Sequence, residues 1–254
     1  MRVHVLGSGT SSGIPVIGCE CSVCHSKDSR DKRTRTAIAL ENNGEFLLID
    51  TPPELRLQLL RAGIKKIIGV IYTHLHADHT AGFDDLRAFT FKSEKPLPVY
   101  LLKEFEEEFR ERYAYAFNPG AYKGAVPKLD LFGISDGPLK VGSFDLEVFS
   151  LPHGSIKSLA LKWNSFTYAT DFKFIPEKIM DKLRTTVDVM LASGLHFGEH
   201  YSHSTINETM SIFSGLGVSR GYISHLSHLV SHEKDTPKLQ SGVSFAFDGM
   251  VIDL

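Results

Sequence analysis

The apolar residues of the chain are grouped in short runs that predict strands and helices mixed along its whole length. In the first half, RVHVLG, TRTAIAL and FLLID have the apolar spacing of strands, and KIIGVIYT has the pattern of a strand buried on both faces. The segment PELRLQLLRAG carries its apolar residues at helical spacing and ends at Gly63. This pattern predicts an amphipathic helix closed by that glycine.

The second half of the chain also predicts short strands mixed with a helix. Strands are predicted for FDLEVFSLP, SLALKW, FTYATD, VDVMLAS and GYISH, and a capped helix for STINETMSIFSGLG. The two halves therefore predict two sheet layers with helices outside them. The Gly- and Pro-rich segment 118–130 predicts a surface loop. Without a repeat or a linker, residues 1–254 are expected to form a single domain.

The composition is that of an ordinary globular protein, with 42% hydrophobic and 23% charged residues. The formal net charge of -2 offers no general basic field for phosphate backbones, so nucleic acid is not the expected partner. The N-terminus MRVHVLGSG alternates like a strand and lacks a signal-peptide core, and no apolar run reaches the length of a membrane span. We therefore expect a cytoplasmic protein with no membrane association.

The segment YTHLHADHTAG, residues 72–82, places four metal-binding side chains directly after the predicted buried strand. His74 and His76 alternate along an extended backbone and so point to the same side. The following turn brings Asp78 and His79 toward a second point close by. A histidine-rich loop can also be plain polar surface, but this density of ligand types favours metal binding. The loop predicts ligands for two neighbouring ions.

Three other predicted strands also end at residues of ligand type. His153 lies in SLPHGS, Asp171 in YATDF and His225 in YISHLSH. Each of these residues alone is more often a cap or a turn residue than a ligand. The order H-x-H-x-D-H, followed by His, Asp and His in the same chain, is harder to explain in that way.

With these residues, the sequence resembles the metallo-β-lactamase superfamily over nearly the whole chain. The resemblance implies an α/β fold, a four-layer αββα sandwich with a dinuclear metal site at one edge of the paired sheets. By position, the resemblance implies that one ion is bound by His74, His76 and His153. It implies that the other ion is bound by Asp78, His79 and His225, and that Asp171 bridges the two ions. With an Asp at the bridging position, the sequence resembles the hydrolytic phosphodiesterase branches of the superfamily, whereas the lactamases themselves carry Cys there. His76 stands where the oxygen-reducing di-iron branch carries an acidic residue, which argues against redox chemistry.

The cysteines of the chain lie within the single segment GIPVIGCECSVCHS, as Cys19, Cys21 and Cys24. An odd, clustered set without an export signal suits thiolates on a metal, and a closed zinc site requires a fourth ligand. His25 is one candidate, but a residue adjacent to a ligand rarely reaches the same tetrahedral ion without strain. We predict His228, because if His225 turns into the active site, His228 can point toward a neighbouring loop.

This cysteine pattern with a distant histidine, together with FDGM at residues 247–250, resembles the phosphoribosyl cyclic phosphate phosphodiesterase family of the carbon-phosphorus lyase pathway. The resemblance implies a structural zinc beside the dinuclear centre. It also places His203, in the segment HST, at the position of a general-acid histidine. The same HST occurs in the transfer-RNA-processing branch. His196 and His200 are expected to be hydrogen-bond partners of the site or surface residues.

These resemblances imply a dinuclear metallohydrolase that cleaves a small phosphodiester, with a cyclic one preferred. The expected catalytic residues are His203 and Asp78, and the expected cofactors are two divalent ions, zinc or manganese, and one structural zinc. Relatives are often dimers, which allows a homodimer here. The spacing of GSGTSSG, residues 7–13, is not that of a dinucleotide loop, so no nucleotide cofactor is expected.

Two other functions remain open at this point. An RNA 3′-processing endonuclease of the same superfamily is favoured by HST, but the near-neutral charge and the lack of a long basic insertion oppose it. The second alternative, a non-catalytic metal-binding protein, would require that the complete dinuclear ligand set is kept although it catalyses no reaction. Turnover of a phosphodiester separates that second alternative from both enzymes.

Overall fold

The computed structural model describes residues 1–91, 93, 95–118 and 126–254. Its strands, in chain order, are β1 (Arg2–Gly7), β2 (Ala37–Asn42), β3 (Glu45–Ile49), β4 (Gly69–Ile71), β5 (Leu97–Leu102), β6 (Leu129–Ile134), β7 (Gly137–Val141), β8 (Phe144–His153), β9 (Ile156–Trp163), β10 (Phe166–Ala169), β11 (Val189–Ser193), β12 (Arg220–Ser224), β13 (Val243–Phe245) and β14 (Val251–Asp253).

The helices of the described residues are mostly short. They are α1 (Leu55–Ala62), α2 (Ala77–Thr80), α3 (Arg87–Thr90), α4 (Glu106–Arg112), α5 (Ala114–Phe117), α6 (Glu177–Leu183), α7 (Ile206–Leu216) and α8 (His232–Asp235). Single 3₁₀ turns occupy Ser29–Asp31, Phe83–Leu86, Lys103–Phe105 and Thr236–Lys238. No helix in this part of the chain has the length and the apolar character needed to cross a bilayer.

The strands form two seven-stranded sheets of mixed direction, in the orders β14-β1-β2-β3-β4-β5-β6 and β13-β12-β11-β10-β9-β8-β7. In the first sheet the pairs from β14 to β3 are antiparallel, and those from β3 to β6 are parallel. The second sheet is antiparallel from β7 to β10 and parallel from β10 to β13. Both sheets therefore have a parallel half whose faces must be covered on both sides.

The burial pattern of β8 shows how the layers are held together. Phe144, Leu146 and Val148 alternate into the core between the sheets, while Phe149 and Leu151 belong to the outer cluster. This alternation is what a strand buried on both faces requires. The outer cluster also contains residues of α7, whereas α1 packs on the first sheet. The predicted arrangement of two sheets with helices outside them is confirmed.

Both long helices begin and end where their sequences predict. In α7, the Thr205 hydroxyl accepts the backbone N–H of Glu208 at 3.1 Å, and the Glu208 carboxylate accepts the N–H of Thr205 at 2.7 Å. This reciprocal capping box satisfies two N–H groups that the helix leaves free. At the C-terminus of α1, Gly63 adopts the left-handed conformation, with φ of 68°.

The loop predicted for residues 118–130 falls only partly within the described residues. Residues 119–125 lie outside the described residues, and Leu129 and Asp130 already belong to β6. The prediction of a single domain at residues 1–254 stays a prediction.

Candidate metal centre

Strand ends of both sheets converge at one edge of the sandwich. His74 and His76 follow β4, and Asp78 and His79 lie in the short helix α2. His153 is the last residue of β8, Asp171 follows β10, and His225 follows β12. We call these seven residues the central cluster.

Two of the groups of three side chains in the central cluster are the two predicted ligand sets, and each is close enough to hold one metal ion. In the first group, formed by His74, His76 and His153, and in the second, formed by Asp78, His79 and His225, the potential ligand atoms lie within 4.8 Å of one another. The first group packs its rings tightly, with His153 Nε2 3.4 Å from His76 Nδ1. In the second group His79 Nε2 lies 3.4 Å from the Asp78 carboxylate.

Asp171 lies between the two groups. Its Oδ2 is 3.0 Å from His79 Nε2, and its Oδ1 is 3.1 Å from His225 Nε2. The carboxylate also forms a possible ligand set with His74 and His79. Burial alone raises the pKa of Asp171, but the neighbouring rings of His225 and His79 outweigh it and hold that pKa well below its usual value. Asp171 is therefore an ionised carboxylate at the middle of the cluster.

The backbone at these strand ends is bent into an unusual conformation. Asp171 and His225 have positive φ angles of 51° and 56°, and Asp50 at the end of β3 has 66°. Asp and His tolerate the left-handed region better than most residues, though at some cost in energy. Such turns redirect the side chain where the strand stops. Here they bring Asp171 and His225 together and place Asp50 against the other side of the His79 ring.

Several nitrogen atoms of the central cluster are buried without a hydrogen-bond partner. They include His74 Nε2, His79 Nε2 and His225 Nε2. Leaving a buried polar atom unpaired costs about 1–3 kcal/mol, so such atoms require an explanation. A cation between the rings would satisfy them, since neutral imidazole nitrogens and carboxylates are common ligands of divalent transition metals. The donor set present therefore fits two metal ions.

Asp50 contacts the central cluster through the His79 ring, and the sequence analysis did not identify it. Its Oδ2 accepts a hydrogen bond from His79 Nδ1 at 2.7 Å, and the Thr73 N–H donates to its Oδ1 at 2.8 Å. Burial alone lowers the pKa of His79, but Asp50 and Asp171 together hold it well above the usual value. A carboxylate behind a ligand histidine fixes the tautomer and orientation of the ring. Its only sequence signal is an Asp at the end of the apolar run FLLID.

The three cysteines meet His228 at a second site, which we call the cysteine cluster. Cys19, Cys21 and Cys24 place their sulfur atoms 3.2, 3.6 and 3.9 Å from His228 Nδ1. His25 is exposed, and its Nδ1 lies 3.3 Å from the Cys21 carbonyl oxygen instead. A hydrogen bond from the Cys24 backbone N–H is the main reason why the pKa of Cys21 falls to about 6. The four side chains suit a tetrahedral zinc site.

A buried arginine connects the two clusters. Arg33 donates to the carbonyl oxygens of Ser227 at 3.0 Å and Val230 at 2.8 Å, and it pairs with Asp31 at 2.8 Å. These carbonyls belong to the loop that carries both His225 and His228. Arg33 therefore fixes the segment that places His225 in the central cluster and His228 in the cysteine cluster.

Comparison with known proteins identifies the family. Residues 46–226 match the model of the beta-lactamase superfamily domain. The chain belongs to this superfamily. The crystal structure of a diphosphatase from the PhnP family superposes on it with a TM-score of 0.92 and 33% identity, covering 100% of this chain and 97% of that one. The metallo-β-lactamase fold implied by the sequence resemblance is thereby confirmed.

Two curated relatives match less of their own length. An octanoyltransferase of Porphyromonas gingivalis is 35% identical and covers 98% of this chain but only 51% of that protein. A ribonuclease Z of Salinibacter ruber is 29% identical over 104 residues, 40% of this chain and 28% of that protein. This chain thus spans about half of the first relative and less of the second. Neither name can be transferred from such partial matches.

A cleft of about 280 Å³ opens over the central cluster of this superfamily member. His203 lines it and directs Nδ1 toward Asp171, 3.3 Å from Oδ1. Burial lowers the pKa of His203 to about 3, and the nearby Asp171 only partly opposes this, so the ring is neutral near pH 7. Ser11, from the segment GSGTSSG, also lines the cleft. The structure thus brings His203 to the predicted ligands.

Proposed function

We propose that the protein is a metal-dependent hydrolase of small phosphodiesters, with a phosphoribosyl cyclic phosphate or a similar cyclic diester as substrate. The observation that carries the proposal is Asp171, an ionised carboxylate in contact with two histidines and flanked by two groups of ligand type. The similarity to a PhnP-family diphosphatase over the whole chain supports a phosphorus centre as the target.

In this proposal His74, His76 and His153 hold one divalent ion, zinc or manganese, and Asp78, His79 and His225 hold the other, with Asp171 shared. When bound, such a pair of ions supplies positive charge to a phosphate and makes a water acidic enough to act near neutral pH. The chain's part is to fix the ligand geometry. Asp50 contributes by holding the His79 ring through Nδ1.

His203 is proposed to protonate the departing alkoxide. Its pKa of about 3 means that the ring is neutral near pH 7 before substrate arrives and lacks the second proton that an imidazolium carries. An anionic phosphate beside the ring favours the charged imidazolium and raises that pKa. The proton for the leaving oxygen is therefore taken up together with the substrate.

The cysteine cluster is proposed to hold a structural zinc through Cys19, Cys21, Cys24 and His228. It offers four protein ligands, the number that closes a tetrahedral site and leaves no position for substrate. Its contribution is therefore to the fold of the loop and not to hydrolysis.

The experiment that tests the proposed hydrolase uses two substrates on one preparation. The protein should hydrolyse bis-nitrophenyl phosphate and a ribosyl cyclic phosphate only with divalent metal present. His203→Ala should lose about 10² to 10⁴ in rate on the cyclic diester, which expels a poor leaving group. It should lose less on the nitrophenyl ester, which needs little protonation. Equal losses on both would show that His203 positions phosphate or metal and donates no proton.

RNA 3′-processing is a second candidate because of the similarity to a ribonuclease Z. The net charge of -2 and the cleft of about 280 Å³ favour a small substrate over a transfer-RNA precursor. Cleavage of such a precursor at a rate above that of the cyclic diester would reverse this preference. A protein that turns over neither substrate with any divalent metal would be a non-catalytic metal-binding protein.

A further inference from the structure

Beside the central cluster, the loop after β11 carries a histidine with no role in the proposed hydrolysis. His200 and its neighbour Tyr201 line the cleft, together with the turn between β8 and β9 at Gly154 and Ser155. His196, from the same loop, is not part of the lining. The question is what His200 can do in the cleft.

The backbone fixes the protonation pattern of the His200 ring. Its Nδ1 accepts hydrogen bonds from the N–H groups of Ser202 at 3.3 Å and His203 at 3.2 Å. Because a backbone N–H can only donate, Nδ1 must be an acceptor, and the neutral ring carries its hydrogen on Nε2. Within the part of the chain that the structure describes, this Nε2–H has no protein partner. His200 thus has a free donor held in a defined orientation.

The His200 donor lies farther from the proposed metal ligands than the ring of His203, which stands between His200 and Asp171. The His200 ring centroid lies 4.9 Å from that of His203, whose Nδ1 in turn approaches Asp171. None of the ring contacts of His200 involves a residue of the central cluster. A group that met His200 would therefore lie beside the reacting phosphate, where the organic part of a diester extends.

Tyr201 adds an apolar surface at the same place. Its ring stacks on that of His200, with centroids 5.0 Å apart and planes at 27°, yet Tyr201 remains 85% exposed. A Cβ added at Gly154 would lie 3.4 Å from the Ser202 side chain and 4.0 Å from the Tyr201 ring. The turn and the loop thus lie close together at this side of the cleft, and the high exposure of Tyr201 leaves most of its ring surface open.

We propose that His200 and Tyr201 form the subsite for the sugar portion of the substrate and determine its specificity. His200 donates from Nε2 to a sugar oxygen, while the open face of Tyr201 packs against the C–H face of the sugar ring. A fixed donor beside an aromatic plane matches a ligand with polar edges and an apolar face. This inference rests on the proposed phosphodiesterase function and names the part of the substrate that this loop recognises.

Two substitutions of His200 separate the loss of the Nε2–H donor from the loss of the Nδ1 acceptor that binds the backbone of its loop. His200→Asn places an oxygen near Nδ1, which keeps the acceptor for the backbone N–H groups but removes Nε2. His200→Gln places an amide N–H near Nε2 but removes the acceptor. With a ribosyl cyclic phosphate, His200→Asn should raise KM about tenfold, as the loss of one hydrogen bond predicts, and His200→Gln should raise it less. The reverse order would show that His200 only holds the loop, and would overturn the proposal.

Matched substrates and a control variant complete the test. Ethylene cyclic phosphate has the same reacting ring but no sugar, so both His200 variants should affect it less than the ribosyl diester. Tyr201→Ala should raise KM equally for the ribosyl diester and for a nucleoside cyclic phosphate. A loss confined to the nucleoside would assign the ring to a base and reject the sugar subsite. His196→Ala, in the same loop, should leave all three substrates unchanged.

Activity of the wild-type protein on these substrates tests the proposed phosphodiesterase function separately from the sugar subsite. Hydrolysis of ethylene cyclic phosphate by the wild-type protein supports the phosphodiesterase whatever the His200 variants do. If the KM ratio between ribosyl and ethylene substrates is the same in wild type and His200→Asn, the sugar subsite fails while the phosphodiesterase stands. If the wild-type protein hydrolyses none of these diesters, both proposals fall.

Discussion

The central cluster and the cysteine cluster are built in opposite ways, although His225 and His228 lie on one loop. The central cluster takes its residues from strand ends of both sheets, and most of them are buried. Three residues of the cysteine cluster come from a segment between β1 and Ser29 that contains no helix or strand. Only a small apolar group around Ile14, Val23 and Cys24 packs there.

This difference predicts what each set of ions contributes. The sheets and Asp50 hold the central ligands in place through contacts that need no metal. The cysteine loop has little packing of its own, so a metal ion held by the sulfur atoms would contribute much of its order. With ions bound at both clusters as proposed, we expect loss of the central ions to remove activity and spare the fold, and loss of the ion at the cysteine cluster to weaken the fold.

The largest expected effect is that of Asp171→Ala. This change removes the carboxylate shared by both groups of ligands, so turnover of any phosphodiester should be abolished and the central ions lost. The ion proposed for the cysteine cluster should remain, which a metal count per chain would show. His153→Ala affects one group only and should be partly rescued by excess metal. Normal turnover in Asp171→Ala would refute a dinuclear centre.

The next largest effect is expected for Cys21→Ser in the cysteine cluster. The change should lower the metal count by about one ion per chain and destabilise the fold by several kcal/mol, because metal binding there is coupled to ordering of the loop. Urea unfolding with and without chelator measures the second effect. A chelator should destabilise the wild-type protein far more than the variant.

His25→Ala is the matched control for the cysteine cluster. The ring is exposed and lies outside the four side chains that converge, so metal count and stability should both stay unchanged. His228→Ala should behave like Cys21→Ser. Zinc loss in His25→Ala with retention in His228→Ala would reverse the proposed assignment.

The sequence predicts which side chains of ligand type converge better than it predicts the residues that support them. The positions of the seven central residues follow from ligand types at the ends of predicted strands, and the structure brings all of them together. Asp50 stands in the same context at the end of FLLID, but its partner His79 can be recognised only when β3 and β4 are known to be neighbours. Arg33 contacts carbonyls almost two hundred positions away, a pairing that no local pattern encodes.

The extent of the elements is also set by tertiary contacts. KIIGVIYT predicts a buried strand, yet β4 covers only Gly69–Ile71. The backbone N–H of Tyr72 still donates to the Tyr100 carbonyl oxygen at 2.8 Å, so the chain stays paired with the neighbouring strand as it enters the histidine loop. Apolar periodicity identifies such a strand, but the point at which it turns depends on the side chains that it must direct.

Asp50→Asn tests how far the central cluster depends on its support. The amide keeps the size of the carboxylate but loses the charge that orients the His79 ring through Nδ1. Loss of such a partner typically costs about 10- to 100-fold in metal affinity or activity. The loss should appear as weaker metal binding in a titration of the metal-free protein, with the cysteine-bound zinc unaffected. Unchanged affinity would show that the strand ends alone hold His79.

The smallest expected effect concerns the pH dependence of stability near the cysteine cluster. Burial, reinforced by Arg33, lowers the pKa of His232 to about 4 in the folded protein, against 6.5 in an unfolded chain. Between these values the unfolded state binds a proton that the folded state does not, so stability falls as pH falls from 6.5 toward 4. Above this window, and below it, the group contributes no slope.

His232→Asn isolates this contribution, because its carbonyl oxygen can still accept from Arg33, as His232 Nδ1 does at 3.1 Å, but does not titrate. The variant should lose stability less steeply than the wild-type protein in that window, by at most about 1.4 kcal/mol per pH unit. Urea unfolding with chelator present removes the separate effect of acid on metal binding. If both proteins lose stability with the same slope, the cysteine-side loop owes its acid sensitivity to other groups, and His232 serves there only as a partner of Arg33.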